Sequence, residues 1–224
     1  MDILEAIKTR KSIRGFKSNP VSKDILKAIL EAAVHAPSAM NTQPWEFTII
    51  AGDVLEKVKH DNIYRLRAGI PTKPEHQVVG WTKDSIYRDR QVELAKKIFR
   101  VMEIPREDKE KRADWMERGF RFFDAPVAII IAVDRSLSDE GPLLDCGAVM
   151  QNICLAALVY GLGTCIEDQG VIYADVIREH TGLPPSKKIL IAIAVGFPDG
   201  SRPENTIESD REAVDSFTTW HGFD

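Results

Sequence analysis

The residues with the clearest chemical capacity lie in three short segments of the chain. The first is RKSIR, in which Arg10, Lys11 and Arg14 place three cations within five residues. The planar guanidinium of Arg offers paired donors to phosphate oxygens, and Ser12 adds a hydroxyl donor. Alternatively, these cations only complement the negative end of a helix dipole. The segment therefore predicts either a phosphate clamp or the charged end of a first helix.

The second segment, HAPSAMNTQPWEF at residues 35–47, is a loop rich in hydrogen-bonding side chains. Pro37 and Pro44 exclude a continuing helix, and polar loops held by rigid elements are typical of binding sites. Three side chains could bind a flat heteroaromatic ligand: Ser38, Asn41 and Gln43. Alternation in the strand that follows places Trp45 and Phe47 on one face, which predicts core packing. Alternatively, the loop serves only to pack Trp45.

The third segment is YGLGTCIEDQG, residues 160–170, which follows an apolar helix. It does not match the GxGxxG dinucleotide fingerprint, which follows a strand and needs Gly where this chain has Ile166. Gly161 is predicted to end the helix in a Schellman-type turn. The residues after it can still offer backbone N–H groups to a ligand.

The remaining sequence contains no visible nucleophile or metal site. Cys146, Cys154 and Cys165 lack CxxC spacing, the five histidines form no HExxH, and GxSxG is absent. The cysteines are therefore predicted to be reduced, and no metal ligands are predicted. Binding loops without an acid, base or nucleophile indicate an enzyme whose chemistry belongs to a cofactor.

Composition narrows the class of protein further. The chain has 224 residues, of which 44% are hydrophobic and 29% charged, as in ordinary folded proteins. A net charge of −4 argues against a broad nucleic-acid-binding surface. The N-terminus lacks the apolar core of a signal peptide, and no stretch resembles a membrane helix. These features predict a cytoplasmic protein that binds neither nucleic acid nor membranes.

The spacing of apolar residues predicts the helices and strands that position these segments. Helical spacing predicts helices at residues 2–10 (with Ile3, Leu4 and Ile7 inward), after an N-cap at Ser22, at 53–60, and twice within 84–121 around Pro105. Apolar β-forming runs predict strands at 46–50, 126–133, 162–166 and 187–196. Residues 61–83 are predicted to be irregular, and 84–121 to lie over the core.

Two further segments differ from this pattern. The helix predicted at 142–160 is apolar nearly all round, so it belongs in a core or a subunit interface. The last 28 residues are polar, with Phe217, Trp220 and Phe223 spaced as anchors.

Together, the three segments resemble the FMN-dependent nitroreductase family. Its Arg-[Arg/Lys/His]-Ser-x-[Arg/Lys] signature is matched by residues 10–14, and its APSxxNxQPWxF loop by residues 36–47. Its GLGT turn after a buried helix is matched by Gly161 to Thr164. Three motifs in the family's order, spanning both ends of the chain, make the resemblance specific.

The resemblance implies an α+β fold with a mixed, mostly antiparallel central sheet flanked by helices. It implies a homodimer with a buried interface helix, and a single domain over residues 1–224. Within that domain, about 61–121 would form a variable lid and about 201–224 an extended C-terminal segment. Six lid residues are candidates for substrate contacts: Tyr64, Arg65, Tyr87, Arg88, Trp115 and Phe120.

The resemblance also implies the residues of an FMN site. They are Arg10, Lys11, Ser12, Arg14, Pro37, Ser38, Ala39, Asn41, Gln43, Thr164, Cys165, Ile166, Glu167 and Arg211. The 37–43 loop would come largely from the other subunit, and the backbone of 164–167 would lie near flavin N5 and O4. Arg10, Arg14 and Arg211 would reach the phosphate, which some relatives also contact through a Lys where this chain has Ser209.

The implied function is an oxidoreductase with tightly bound FMN that takes electrons from NADH or NADPH. It would reduce nitroaromatic, quinone-like or related small electron-poor acceptors by a ping-pong mechanism. Flavin N5 would carry the hydride, so no protein residue is assigned as catalytic. The alternatives are a reductive dehalogenase-like or flavin-modifying member of the same fold, and a non-catalytic flavin-binding protein.

Overall fold

The computed structural model describes residues 2–78 and 80–223, in which seven α-helices surround one four-stranded sheet. The helices are α1 Ile3–Thr9, α2 Lys23–Ala33, α3 Gly52–Arg67, α4 Ile86–Val101, α5 Lys109–Phe120, α6 Gly141–Val159 and α7 Ala174–Thr181. The strands are β1 Glu46–Ala51, β2 Val127–Asp134, β3 Gly163–Glu167 and β4 Lys187–Gly196.

The sheet has the strand order β1-β2-β4-β3, with β1 and β3 at its edges. Every neighbouring pair among these four strands is antiparallel, whereas the sequence predicted a mixed sheet. The α+β class with helices flanking a mostly antiparallel sheet is confirmed.

The two faces of the sheet carry separate hydrophobic layers. Successive strand residues point to opposite faces, so Ala128 and Ile130 of β2 pack on one side, while Ile129 and Ile131 pack on the other. The first side is covered mainly by α3, α5 and α7, and the second by α2 and α6. Residues Val127 to Val133 are all buried, which explains their continuous apolar run.

Local signals fixed the ends of two helices as predicted. The Ser22 hydroxyl caps α2 by accepting a hydrogen bond from the Ile25 N–H at 3.3 Å. Helix α6 ends in a Schellman turn in which Gly161 has φ +68°. There, Gly161 N–H donates to the Leu158 carbonyl and Leu162 N–H to the Ala157 carbonyl, both at 3.0 Å.

The structure corrects two helical boundaries. Helix α3 continues to Arg67 instead of ending at His60, because Asn62 is buried on the same face as Leu55 and Val58. The Asn62 amide donates to the carbonyls of Phe120 and Gly170, which holds this last part of the helix on the core. Helix α7 was not predicted at all, since its buried face consists of only three small or aliphatic residues in a short polar segment.

The segment predicted to lie over the core forms α4 and α5, separated near Pro105 as expected. Helix α5, however, belongs partly to the core, because the side chains of Trp115 and Phe120 are buried in the layer beneath it. For these two lid candidates the single chain thus favours packing, the alternative to a contact with substrate. Tyr64 and Tyr87 remain exposed.

Several apolar residues predicted to be buried lie on the surface of the single chain. Ile3, Leu4 and Ile7 are exposed on α1, and Phe217, Trp220 and Phe223 do not anchor the C-terminal segment. Helix α6 buries one face only, and its Leu144 and Val159 side chains are 84% and 79% exposed.

Helix α6 also corrects the expectation that no segment resembles a membrane helix. Among the helices of the described residues, it alone is long and apolar enough to cross a membrane by length and composition. It packs against α2 and the sheet, as the core helix of a soluble protein does.

Trp45 is predicted to be a major contributor to stability. Its side chain is 7% exposed within the layer beneath α2 and α6, and Phe47 packs against the same layer, as expected. Trp45→Ala should lower the free energy of unfolding by about 3–5 kcal/mol in urea denaturation. Met40→Ala, at a side chain that is 96% exposed in the neighbouring loop, is the control and should leave stability nearly unchanged. A Trp45→Ala loss below about 1 kcal/mol would contradict the packing role.

Candidate functional site

The segment with three cations lies along the outer edge of β3. The Ile13 N–H donates to the Thr164 carbonyl at 2.9 Å, and Ser12 forms a parallel bridge with Thr164. This approach requires Gly163, because a Cβ at that position would lie 2.5 Å from Cγ1 of Ile13. The first and third sequence motifs are therefore brought together within one chain.

The cations of this segment have no anionic partner among residues 2–78 and 80–223. The side chains of Arg10, Lys11 and Arg14 form no ion pair there, and the Arg14 guanidinium lies 5.9 Å from the ring centre of Phe123. Burial raises the pKa of Cys165 to about 11, while the positive charge of Arg14 partly opposes this. Such unpaired cations are suited to an anion from outside the chain.

The edge of β3 also directs backbone donors outward. Because the Thr164 carbonyl accepts from Ile13, the backbone groups of Thr164 point away from β4. In an antiparallel ladder the direction repeats every second residue, so the N–H of Ile166 points to the same outer side. This geometry suits a ligand with hydrogen-bond acceptors along one edge.

Glu167, at the end of β3, is buried next to this edge. Its Oε2 accepts a hydrogen bond from the Gly170 N–H at 2.8 Å, and its Oε1 has no partner. Burial raises the pKa of the carboxyl to about 8, with a further contribution from Asp168, against the effect of the Gly170 hydrogen bond. This raised pKa favours the protonated, neutral form of the carboxyl at neutral pH.

The 37–43 loop is partly satisfied by its own hydrogen bonds. The Gln43 N–H donates to the Ser38 hydroxyl at 3.0 Å, and the Gln43 amide donates to the Asn41 carbonyl at 3.3 Å. The Asn41 side chain has no hydrogen bond within the described part of the chain. Met40, Asn41 and Gln43 all have positive φ, between 47° and 58°. Left-handed backbone at residues other than Gly is strained, and such strain is concentrated at functional sites.

Within one chain, this loop is held away from the cations. The Ala39 N–H donates to the Asp145 carboxylate at 3.2 Å, near the start of α6. Arg10 lies near a later position of α6, Cys154. Burial raises the pKa of the Cys154 thiol, and the positive charge of Arg10 partly opposes this. The nine-residue step from Asp145 to Cys154 spans about 14 Å of helix. Arg211 is also separate, since within residues 2–78 and 80–223 its guanidinium donates only to Ser209 and Asp210.

Four residues that hold this site were not identified from the sequence: Arg118, Asp145, Glu204 and Asn205. Arg118, Asp145 and Asn205 each contact a predicted site segment from a position far away in the chain, and Glu204 pairs with Arg118. The Asn205 Oδ1 accepts from the N–H groups of Arg14 and Gly15 at 2.9 and 3.1 Å. Local sequence gave no signal for these contacts, because each partner lies far away in the chain and no spacing pattern links the two.

Two other features do not form part of this site. A cavity of about 600 Å³ lies between α3 and the turn at residues 121–124, but its cations Arg67 and Arg121 are already paired with Glu117 and Asp124. No group of three His, Cys, Asp or Glu residues in the described chain could hold a metal ion.

Comparison with known proteins identifies the family. The sequence model described as the nitroreductase family matches residues 7–197. The chain is 34% identical over 219 residues to the nitrobenzene nitroreductase of Ectopseudomonas oleovorans, covering 96% of this chain and 95% of that protein. The chain belongs to the nitroreductase family. The present chain is also 32% identical over 218 residues to the chloronitrobenzene nitroreductase of Comamonas testosteroni, and this match covers 96% of the present chain and 95% of that protein.

The fold agrees with this assignment. The structure superposes on the FMN and NADPH-dependent nitroreductase NfnB from sphigopyxis sp. strain HMH with a TM-score of 0.94. The two chains are 26% identical, and the superposition covers 100% of each. The α+β fold of the chain is therefore that of a nitroreductase.

Glu167 is predicted to make the stability of this nitroreductase depend on pH. Its folded pKa of about 8 exceeds the ordinary 4.5, so the folded state binds the proton more tightly than the unfolded state. Its stabilising contribution is complete below about pH 4.5 and is lost as pH rises through about 8. Glu167→Gln keeps a neutral side chain, so its unfolding free energy should fall less than that of the wild type over this range. Urea denaturation at several pH values measures both, and parallel pH profiles would contradict the buried neutral acid.

Proposed function

We propose that this nitroreductase holds FMN along the outer edge of β3 and uses NAD(P)H to reduce small nitroaromatic compounds. The observation that carries the proposal is the segment of three unpaired cations, hydrogen-bonded to the edge of β3. The residues fit a ligand with a phosphate at one end and a hydrogen-bonding ring edge at the other. Two relatives are named for nitrobenzene and chloronitrobenzene, and NfnB is described as FMN and NADPH-dependent.

In this proposal the protein contributes binding and electrostatics. Arg10, Lys11 and Arg14 would hold the phosphate, with Ser12 as a further donor. The Ile166 N–H would donate to the flavin ring, next to the backbone of Thr164, Cys165 and Glu167. A protonated Glu167 would add no negative charge to this part of the site. Bound FMN supplies hydride and electron transfer, which these side chains do not provide.

The 37–43 loop completes the site from a second copy of the chain. Within one chain, the contact of this loop with Asp145 places it at the opposite end of α6 from Arg10. A twofold axis near the middle of α6 would bring the loop of one chain to the cations of its partner. Pro37, Ser38, Ala39, Asn41 and Gln43 would then face the flavin of that partner. The exposed apolar side chains of α1, α6 and the C-terminal segment support this homodimer.

Substrate class and location follow from the same proposal. Small electron-poor acceptors, nitroaromatic or quinone-like, and the nicotinamide would use one space above the ring in turn. Arg211 would reach the phosphate once the C-terminal segment packs against the partner. We also propose a cytoplasmic location, since Cys146, Cys154 and Cys165 are free thiols.

The proposed function predicts turnover of nitrobenzene with NADPH or NADH by the purified yellow protein. Because both substrates use one space in turn, steady-state rates should give parallel double-reciprocal lines when each substrate is varied against the other. A quinone should behave in the same way as an alternative acceptor. Intersecting lines would contradict the shared space, and a flavin-loaded protein without turnover would indicate a binding protein instead of an enzyme.

The homodimer predicts that a charge on the exposed face of α6 separates the subunits. Val159 on α6 is 79% exposed in one chain, and a buried, unpaired Glu there would disfavour association. Light scattering should therefore find a dimer for the wild type and a smaller species, with weaker flavin binding, for Val159→Glu. Val54→Glu on α3 is the matched control, at a side chain that is 38% exposed and outside the proposed interface. A monomeric wild type with full FMN would contradict the shared site.

A further inference from the structure

A buried ion pair lies directly behind the cation segment. Arg118 of α5 pairs with Glu204, and their side chains are 11% and 0% exposed. The second terminal nitrogen of Arg118 donates to the carbonyl oxygen of Arg14 at 2.6 Å. Helix α5 lies in the segment predicted as a variable lid. It therefore contacts the backbone of Arg14, a residue proposed to bind the phosphate.

Asn205, in the C-terminal segment, bonds the neighbouring backbone groups of the same two residues, Arg14 and Gly15. Besides accepting from the N–H groups of Arg14 and Gly15, the Asn205 amide donates to the Gly15 carbonyl at 2.7 Å. The backbone around Arg14 thus has four hydrogen bonds to side chains more than a hundred residues away. We call Arg118, Glu204 and Asn205 the Arg14 brace.

Stability alone is a weak explanation for the Arg118–Glu204 pair. Burying two charges costs desolvation free energy that their attraction often fails to repay. The pair is also imperfect, because Arg118 Nε and Glu204 Oε2 have no hydrogen-bond partner. Arg202 and Asp124 lie 3.6 Å from the pair, too far for a hydrogen bond. A costly, geometrically specific contact suggests a positioning role, with the Arg14 backbone as its target.

We infer that the Arg14 brace positions the Arg14 guanidinium for the flavin phosphate. The brace fixes the backbone of Arg14, whose guanidinium then stands over the Phe123 ring without an ion pair. Arg118, Glu204 and Asn205 are positioning residues and do not touch the cofactor. Glu204 and Asn205 lie beyond residues 7–197, which the family model matches. This inference rests on the proposed FMN site, and it makes α5 part of the cofactor scaffold.

The test compares FMN with riboflavin, which lacks the phosphate. The full-length apoprotein is titrated with each flavin, and quenching of flavin fluorescence reports both dissociation constants. Arg14→Ala is the reference variant and should weaken FMN binding about tenfold or more, since it removes a charge-assisted hydrogen bond. It should leave riboflavin binding nearly unchanged.

The decisive variant is the double substitution Arg118→Met with Glu204→Met. It leaves the net charge unchanged and leaves no lone buried charge, so it should fold. It should weaken FMN binding about threefold or more, which is the size of effect expected between residues in one hydrogen-bond network. Riboflavin binding should change little. Combined with Arg14→Ala, it should cause no further loss of FMN selectivity, because the brace acts through Arg14. Asn205→Ala tests the other side of the brace and should show the same selective loss of FMN binding. It replaces the double variant if that protein does not fold.

Glu117→Gln is the matched control on α5. Glu117 precedes Arg118 and pairs with Arg67 of α3 at 2.8 Å, without contact to Arg14. It should leave both dissociation constants unchanged. Equal weakening of both flavins by the double variant, or losses that add to that of Arg14→Ala, would overturn the positioning role. If Arg14→Ala itself weakens both flavins equally, the proposed phosphate site fails and the brace with it.

Discussion

Strand β2 is buried from Val127 to Val133, and this burial sets the arrangement of the other elements. A strand buried on both faces needs a helical layer on each side of its sheet. Helices α2 and α6 supply one layer, and α3, α5 and α7 supply the other. The centre of the sheet is therefore inaccessible, and a ligand that needs backbone donors must use an edge. Strand β3 provides that edge.

The proposed site at β3 depends on which charges are left unpaired. Elsewhere on the chain, cations such as Arg67, Arg121 and Arg178 have carboxylate partners. Behind the cation segment lies the buried carboxylate of Glu204, which is paired with Arg118. Glu167, at the end of β3, is buried as well, and burial raises its pKa to about 8. Within the described residues neither carboxyl pairs with the cations at positions 10, 11 and 14, so their positive charge stays available to an anion.

Local sequence predicted the elements well and the long-range contacts poorly. Ser22, Gly161 and the apolar run of β2 carry their signals within a few residues, and the structure confirms each of them. Helix α7 and the last turns of α3 depend on distant contacts, such as Asn62 with Gly170. The Arg14 brace has the same origin, because no periodicity links Arg118 to Arg14 or Asn205. The division of the chain into domain, lid and C-terminal segment remains a prediction.

The misplaced apolar residues and the divided site have one common explanation. Ile3, Leu4, Leu144 and Val159 were predicted to be buried from their apolar character, yet a single chain leaves them exposed. The same chain separates the 37–43 loop from Arg10 by about 14 Å along α6. A second copy packed on α6 would bury those side chains and close that distance at once. It would also offer a partner to the Asn41 side chain and compensate the strained backbone around it, because binding energy can stabilise a conformation that is unfavourable in the free chain. Under the proposed homodimer, the sequence pattern was correct about burial, and for α6 the covering surface would be the subunit interface that its apolar pattern left open as an alternative to a core.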